Sequence, residues 1–178
     1  MATMILLPDG ESSVSSHWIT FGAGVSDPSV ALQTDNGATS YVKCNDNLES
    51  MIIEYANPSV AEGDISSIDS VRFLSSGKAV HRTDASLVRI GYEVPSGNPL
   101  EQVSYLAHRT NYTTINGTSR TSYDGNVGTG WTYAQLQSLE LICIKIQTIE
   151  VYLSYLALEV TYTKAVAADN ATFFGANF

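Results

Sequence analysis

This sequence predicts an all-β protein, an antiparallel sandwich or closed barrel, and three observations carry the prediction. Several runs alternate apolar and polar residues with a period of two, which is the signature of half-buried strands. Clusters of Gly, Asn, Asp, Ser and Pro separate those runs, as at Asp35-Asn36-Gly37, Ser75-Ser76-Gly77, Pro95-Ser96-Gly97-Asn98-Pro99, Asn116-Gly117 and Asp124-Gly125-Asn126. No long helix-period pattern and no internal repeat is present. At 178 residues the chain is large enough for one domain with a substantial core.

In chain order, Met4–Leu7 reads as an edge strand. Residues 10–46 are rich in Ser, Gly, Asp, Asn and Thr with isolated apolar residues (Trp18, Ile19, Phe21, Val30, Leu32), and are expected to wrap the sandwich as loop with short strands. Met51–Tyr55 and Ser70–Leu74 are short strands. Over Ser86–Val94, Val88, Ile90, Tyr92 and Val94 share one face and Arg89, Gly91 and Glu93 the other. Gln102–His108 and Tyr112–Ile115 follow, and Asn116-Gly117, between threonine-rich runs, predicts a tight hairpin. Thr132 is placed to cap a short helix from Tyr133 to about Leu139, with Leu136 and Leu139 inward and Trp131 packed before the cap. Ile142, Ile144 and Ile146 then alternate with Cys143, Lys145 and Gln147. In the last strand Leu156, Leu158, Val160 and Tyr162 oppose Ala157, Glu159, Thr161 and Thr163. The sandwich is thus expected over 1–164 and a tail or arm over 165–178.

Composition excludes several classes. Acids outnumber bases 18 to 9 for a formal charge of −9, and the bases are scattered, so the chain lacks the basic surface that phosphate backbones or anionic headgroups require. No nucleic-acid or membrane partner is expected. No apolar stretch approaches the ~18 residues of a transmembrane helix, and MATMILLPDG lacks the basic n-region and apolar length of a signal peptide. The expectation is synthesis in a cytoplasm without export, which makes the sequons at Asn111, Asn116 and Asn170 chance matches. Two cysteines do not make a disulfide framework; Cys143, inside Leu141-Ile142-Cys143-Ile144, reads as a buried thiol, with a bridge to Cys44 the less favoured alternative.

No catalytic constellation emerges. His17, His81 and His108 lack metal-ligand spacing, and no C-x-x-C, G-x-S-x-G or phosphate-binding loop is present. The pairs Asp124/Asn126 and Glu62/Asp64 fall short of the six to eight oxygens calcium takes. Glu93 and Glu159 lie on polar strand faces, where solvation explains them. The expectation is a non-enzyme without metal or cofactor.

Gly130-Trp131-Thr132 followed by Leu136, Leu139 and the strand ending Leu158-Glu159-Val160-Thr161-Tyr162 resembles a C-terminal pattern of tailed-phage and prophage virion proteins. Pro8 to Gly10 with Trp18, then Thr39-Ser40-Tyr41-Val42, then Ile68-Asp69-Ser70-Val71, extend the resemblance in order over most of 8–163. One departure is that Glu140-Leu141-Ile142-Cys143 continues where the pattern has a glycine after the helix. The resemblance implies an antiparallel jelly-roll β-sandwich of the capsid decoration (cement) type. Such a protein would assemble in the host cytoplasm, sit on the outer capsid surface of the virion, and bind the major capsid protein and copies of itself as a homo-oligomer, a dimer or trimer.

The residues expected to bind such partners are Met4, Ile5, Leu6 and Leu7, by adding an edge strand to a neighbour, and Phe173, Phe174 and Phe178 as anchors in the tail. The alternative is a carbohydrate-binding module of a phage head or tail fibre, with an exposed aromatic row from Trp18, Tyr112, Tyr123, Tyr133 and Trp131. Because Tyr92 and Tyr162 fall on apolar strand faces, core packing is the expected role of most strand tyrosines. A hydrolase with carboxylates from separate strands is the third reading.

Overall fold

The computed structural model describes residues 1–22, 25–44, 46, 48–79, 88–93, 100–106, 111–123, 130–145 and 150–166. Two antiparallel sheets face one another as a jelly-roll β-sandwich. The strands are β1 (Ala2–Leu6), β2 (Pro8–Val14), β3 (Trp18–Gly22), β4 (Ser40–Cys44), β5 (Ser50–Tyr55), β6 (Ile65–Ala79), β7 (Val88–Glu93), β8 (Leu100–Leu106), β9 (Thr113–Asn116), β10 (Glu140–Lys145) and β11 (Val151–Lys164). The six-stranded sheet runs β3-β4-β11-β6-β9 with β1 also on β11, and the five-stranded sheet runs β2-β5-β10-β7-β8. Among the described residues there are also two short α-helices, α1 (Pro28–Ala31) and α2 (Tyr133–Gln137), and a 3-10 turn at Glu62–Asp64.

Alternation places most of β11 as expected: Leu156, Leu158, Val160 and Tyr162 are buried and Glu159, Thr161 and Thr163 are less so, but Ala157, expected opposite the core, is fully buried as well. Its partner on one side is β6, from Val151↔Ala79 to Lys164↔Ile65. On the other side β11 changes partner, from β4 at Val151–Leu153 to β1 at Leu158–Tyr162. The gap between them is closed by α1, whose following residue Leu32 accepts a hydrogen bond from Leu156 N at 3.1 Å, so this buried backbone donor is not orphaned. Segment 10–46 is therefore more regular than its composition predicts, holding most of β2, all of β3 and β4, and α1. Pro8 opens β2 at the margin of its sheet, where a missing N–H is tolerated.

Two further expectations are corrected, and β10 gains the facing that its pattern left open. Ser75-Ser76-Gly77 is not a turn but the middle of β6, paired with both β11 and β9; ladders on both sides override a local turn preference. Asn116-Gly117 closes no hairpin, because the chain continues along β6, with Gly117 N bonded to Phe73 O at 2.8 Å and Arg120 bridging to Val71. In β10 the core side is Leu141, Cys143 and Lys145, while Ile142 and Ile144 are half-buried. Lys145 reaches from the interior to donate to the Asp46 carbonyl at 2.8 Å.

At one end of the sandwich, Thr132 and Gln135 form a reciprocal capping box on α2 (Gln135 N to Thr132 Oγ1 3.3 Å; Thr132 N to Gln135 Oε1 2.8 Å). Leu136 and Leu139 are buried as the spacing predicts. Trp131 is core: its indole N–H donates to Arg120 O at 2.9 Å, and its ring meets Tyr92 and Tyr123 edge-on at 5.9 and 5.2 Å.

Cys44 and Cys143 are both fully buried free thiols. Burial pushes Cys143 up to about 12, and also raises Cys44. Because only the thiolate reacts, a disulfide-exchange reagent should label neither cysteine in the folded protein and both in guanidinium. Rapid labelling of the native protein would contradict this packing.

Candidate ligand-binding face

Outward-facing residues at one end of the six-stranded sheet form a band of aromatic and cationic side chains. Register brings them together from four strands and the residue before β9. Phe21 on β3 lies opposite Tyr41 on β4, and Ile19 opposite Lys43. Lys43 lies opposite Tyr152 on β11, which lies opposite Lys78 on β6. Gly77 pairs with Thr113, so Tyr112 arrives beside Lys78.

The rings of Phe21 and Tyr41 stack at 5.1 Å with 21° between planes, and Tyr41 meets Tyr152 edge-on at 5.1 Å. Lys43 Nζ lies 5.7 Å from the Phe21 ring and 5.8 Å from that of Tyr152; Lys78 Nζ lies 4.8 Å from Tyr152 and 4.9 Å from Tyr112. Phe21 is 37% exposed and Ile19 47%. Tyr41, Tyr152 and Tyr112 are half-buried.

Polar groups rim the band. Glu150, just before β11, pairs with Lys43 at 2.5 Å and accepts from the Tyr152 hydroxyl at 2.5 Å. Hydrogen bonds from Lys43 and then Tyr152 hold the Glu150 carboxyl below its usual range. The bond to Glu150, followed by burial, raises Tyr152 to about 12. Asp35, in the loop after α1, accepts from Thr114 Oγ1 at 3.3 Å. That loop is set by Asn36, which bonds Ser40 through both its side-chain atoms, and by Gly37 in the left-handed region at φ 60°. Gly37 also lies against Tyr112, whose ring is 3.7 Å from where a β-carbon would be. Burial raises Tyr112 to about 12, and its hydroxyl has no hydrogen-bond partner among the described residues.

The Glu150–Tyr152 bond gives the band a defined pH window. Glu150 lies below its unfolded value of roughly 4.3, so its stabilising contribution holds above that value and fades as pH falls through the folded one. Tyr152 lies above the unfolded value of roughly 10, so its contribution holds below 10 and is lost as pH rises through about 12. Ultraviolet titration of wild type against Tyr152→Phe should isolate one late phenol, and Glu150→Gln should bring it down towards 10. An unchanged late phenol in Glu150→Gln would remove the carboxylate as its cause.

Most residues of this band were not singled out in the sequence; of the aromatic row expected there, only Tyr112 belongs to it. Trp18 and Trp131 are buried, Tyr123 packs on Trp131, and the Tyr133 hydroxyl donates to Val60 O at 2.9 Å. Among the expected partner-binding residues, Met4 and Leu6 point into the core at 6% and 2% exposure, which removes their side chains as anchors, while Ile5 and Leu7 face outward. Phe173, Phe174 and Phe178 lie outside the described residues, as do His81, His108, Asp124 and Asn126.

His17 is not bare surface. Its Nε2 lies 3.3 Å from Asp46 and its Nδ1 3.0 Å from Glu49, and Glu49 also accepts from Ser15 Oγ. Both ring nitrogens face carboxylates, so the cluster clasps two loops. Among the described residues no group of three or more His, Cys, Asp or Glu is placed to hold a metal ion. Glu159 is paired with Arg72 at 2.7 Å on the six-stranded sheet, whereas Glu93 belongs to β7 of the other sheet.

No family model and no curated protein matches the chain. Among solved structures it is similar to the CBM22-1 xylan-binding domain of Paenibacillus barcinonensis Xyn10C, at 12% identity over 92% of this chain and 95% of that one, with a TM-score of 0.46. A family 29 carbohydrate-binding module from Piromyces equi matches at 12% identity over 89% and 91%, with a TM-score of 0.41. A third structure, described as CBM4, matches at 10% over 83% and 86%, with a TM-score of 0.33. At these identities and TM-scores the likenesses bear on neither the site nor its ligand.

Proposed function

We propose that this protein is a non-catalytic binding module that holds a carbohydrate chain across the outer face of its six-stranded sheet. The observation that carries the reading is the band Phe21–Tyr41–Tyr152–Tyr112 with its polar rim. A pyranose ring offers a patch of C–H bonds on its face and hydroxyls round its edge. Aromatic faces with polar tips complement that pattern, and few other side chains do. The band crosses the strands at their end, so it is long enough for several sugar units rather than one. A rigid sheet holds the rings in place, which lowers the ordering cost of binding.

Affinity electrophoresis against plant, fungal and bacterial polysaccharides tests the reading. Wild type should be retarded by at least one class, and Tyr41→Ala and Phe21→Ala should each weaken that retardation about fivefold or more, equivalent to ~1 kcal/mol. Failure of every polysaccharide to bind, or binding indifferent to both substitutions, would overturn it.

A second reading, decoration of a virion shell through the major capsid protein and further copies of this chain, is supported by β1. Among the described residues this strand pairs only with β11, and Ile5 and Leu7 are 43% and 37% exposed. An open edge of this kind can accept a neighbouring strand. Co-sedimentation with undecorated capsids, abolished by Ile5→Lys, would favour it; no co-sedimentation would remove it.

A further inference from the structure

Within the carbohydrate-binding reading just given, on which this inference rests, we infer that the ligand is an anionic saccharide whose acidic group is received by Lys78. The two lysines of the band are not equivalent. Lys43 is neutralised by Glu150 at 2.5 Å. Lys78 is half-buried between the rings of Tyr152 and Tyr112, at 4.8 and 4.9 Å; Glu150 feels its charge, but no carboxylate lies within ion-pair distance of it among the described residues.

Two ring faces hold an ammonium in place without discharging it, because the attraction is to a quadrupole and leaves the N–H donors available. Half-burial removes part of the water that would otherwise solvate that charge. An arriving carboxylate or sulfate therefore meets a positioned cation already partly stripped of solvent. A neutral sugar at the same place would leave Lys78 covered and unpaired, a cost that grows as water is excluded.

Contrast with the rest of the molecule strengthens the assignment. The chain carries a formal charge of −9, with nine lysines and arginines in all. Two of those nine stand within one rung of the same aromatic band, with Glu150 as the carboxylate paired there. An acidic glycan would be repelled by most of the surface and accepted at this point, which gives both selectivity and orientation. The rings of Tyr152 and Tyr112 on either side of Lys78 would contact the flanking sugar units.

Matched polymers test this. Glucuronoxylan, pectate and alginate would be compared with their carboxyl-reduced forms, and a sulfated galactan with its desulfated form, by calorimetry at low and high salt. The expected result is at least about tenfold tighter binding of an acidic member than of its neutral partner, weakened by salt. That preference should vanish in Lys78→Met, persist in Lys78→Arg, and persist in Lys164→Met at the far end of β11. Which acidic member binds distinguishes a uronate from a sulfate ester. Neutral members binding as tightly as acidic ones, with Tyr152 still required, would overturn the inference and leave the carbohydrate reading standing. Binding of no member of either kind would overturn the inference, and failure of the wider polysaccharide panel as well would overturn both. Matching melting curves for the three variants would exclude misfolding as the cause of any loss.

Discussion

Tyr152→Ala should abolish most ligand binding, weakening it by about 30-fold or more, the ~2 kcal/mol typical of a central aromatic contact. Among the described residues, no other touches as many parts of the band. The ring meets Tyr41 edge-on, both lysines lie over it, and its hydroxyl is bonded to Glu150. Truncation removes a stacking surface and at the same time releases the two cations and the carboxylate that it positions. Stability should suffer far less, because the side chain is only half-buried and faces outward. A loss of about 1 kcal/mol corresponds to a melting shift of roughly 2–4 °C for a domain of this size. Tyr152→Phe separates the contributions by keeping the ring and removing the bond to Glu150, and should cost only a few-fold in affinity. Wild-type affinity in Tyr152→Ala would dismiss this face as the site.

The second large effect concerns folding. A β-carbon at Gly117 would lie 2.6, 2.7 and 2.9 Å from three atoms of the Phe73 ring, and that ring is itself 1% exposed with no room to retreat. Gly117→Ala should therefore destabilise by about 1–3 kcal/mol through overpacking. Phe73→Ala should cost about 3–5 kcal/mol through the cavity it leaves. The informative measurement is the double variant in denaturant. The methyl group added by Gly117→Ala would occupy space vacated by the ring, so the two costs should combine to less than their sum, with a coupling of about 0.5–3 kcal/mol. Strict additivity would mean that the close approach of the two residues is not what requires glycine here.

Alternation made much of this fold legible. The inward face of β11 and the capped turn at Thr132 follow directly from the residues, because each has one face or one cap and no competitor. Where both faces of a strand are apolar the pattern loses its sign. Ile142 and Ile144 are as hydrophobic as Leu141 and Cys143, and a lysine on the core side of β10 points the wrong way until its carbonyl partner at Asp46 is known. Ser75-Ser76-Gly77 and Asn116-Gly117 have turn composition, yet long-range pairing decides their conformation.

The candidate face was hidden for a different reason. Phe21, Tyr41, Lys78, Tyr112 and Tyr152 are far apart in sequence, and only the strand order β3-β4-β11-β6-β9 makes them neighbours. A local signal did exist. Ile19-x-Phe21 and Tyr41-x-Lys43 each place large side chains on the face opposite buried Trp18 and Val42. Tyr92 and Tyr162, which do pack inward, gave a correct rule for themselves that does not extend to Tyr41 and Tyr152.

The course of β11 gives the molecule a mechanical direction. Its far end lies beside the start of β1, with Ala2 opposite Tyr162, so a pull applied through both flanks of the sandwich loads that ladder at its end and opens it bond by bond. Tyr152 is at the other end of the strand, about 40 Å from Lys164 at ~3.3 Å per residue. Tension between a ligand held by Lys78 of β6, opposite Tyr152, and a tether beyond Lys164 runs lengthwise instead, from one strand to the other. The ladder to β6 spans that entire distance, so its bonds share the load in shear and resist together. The same domain would yield easily when its two flanks are drawn apart and hold firmly when anchored between ligand and C-terminal flank.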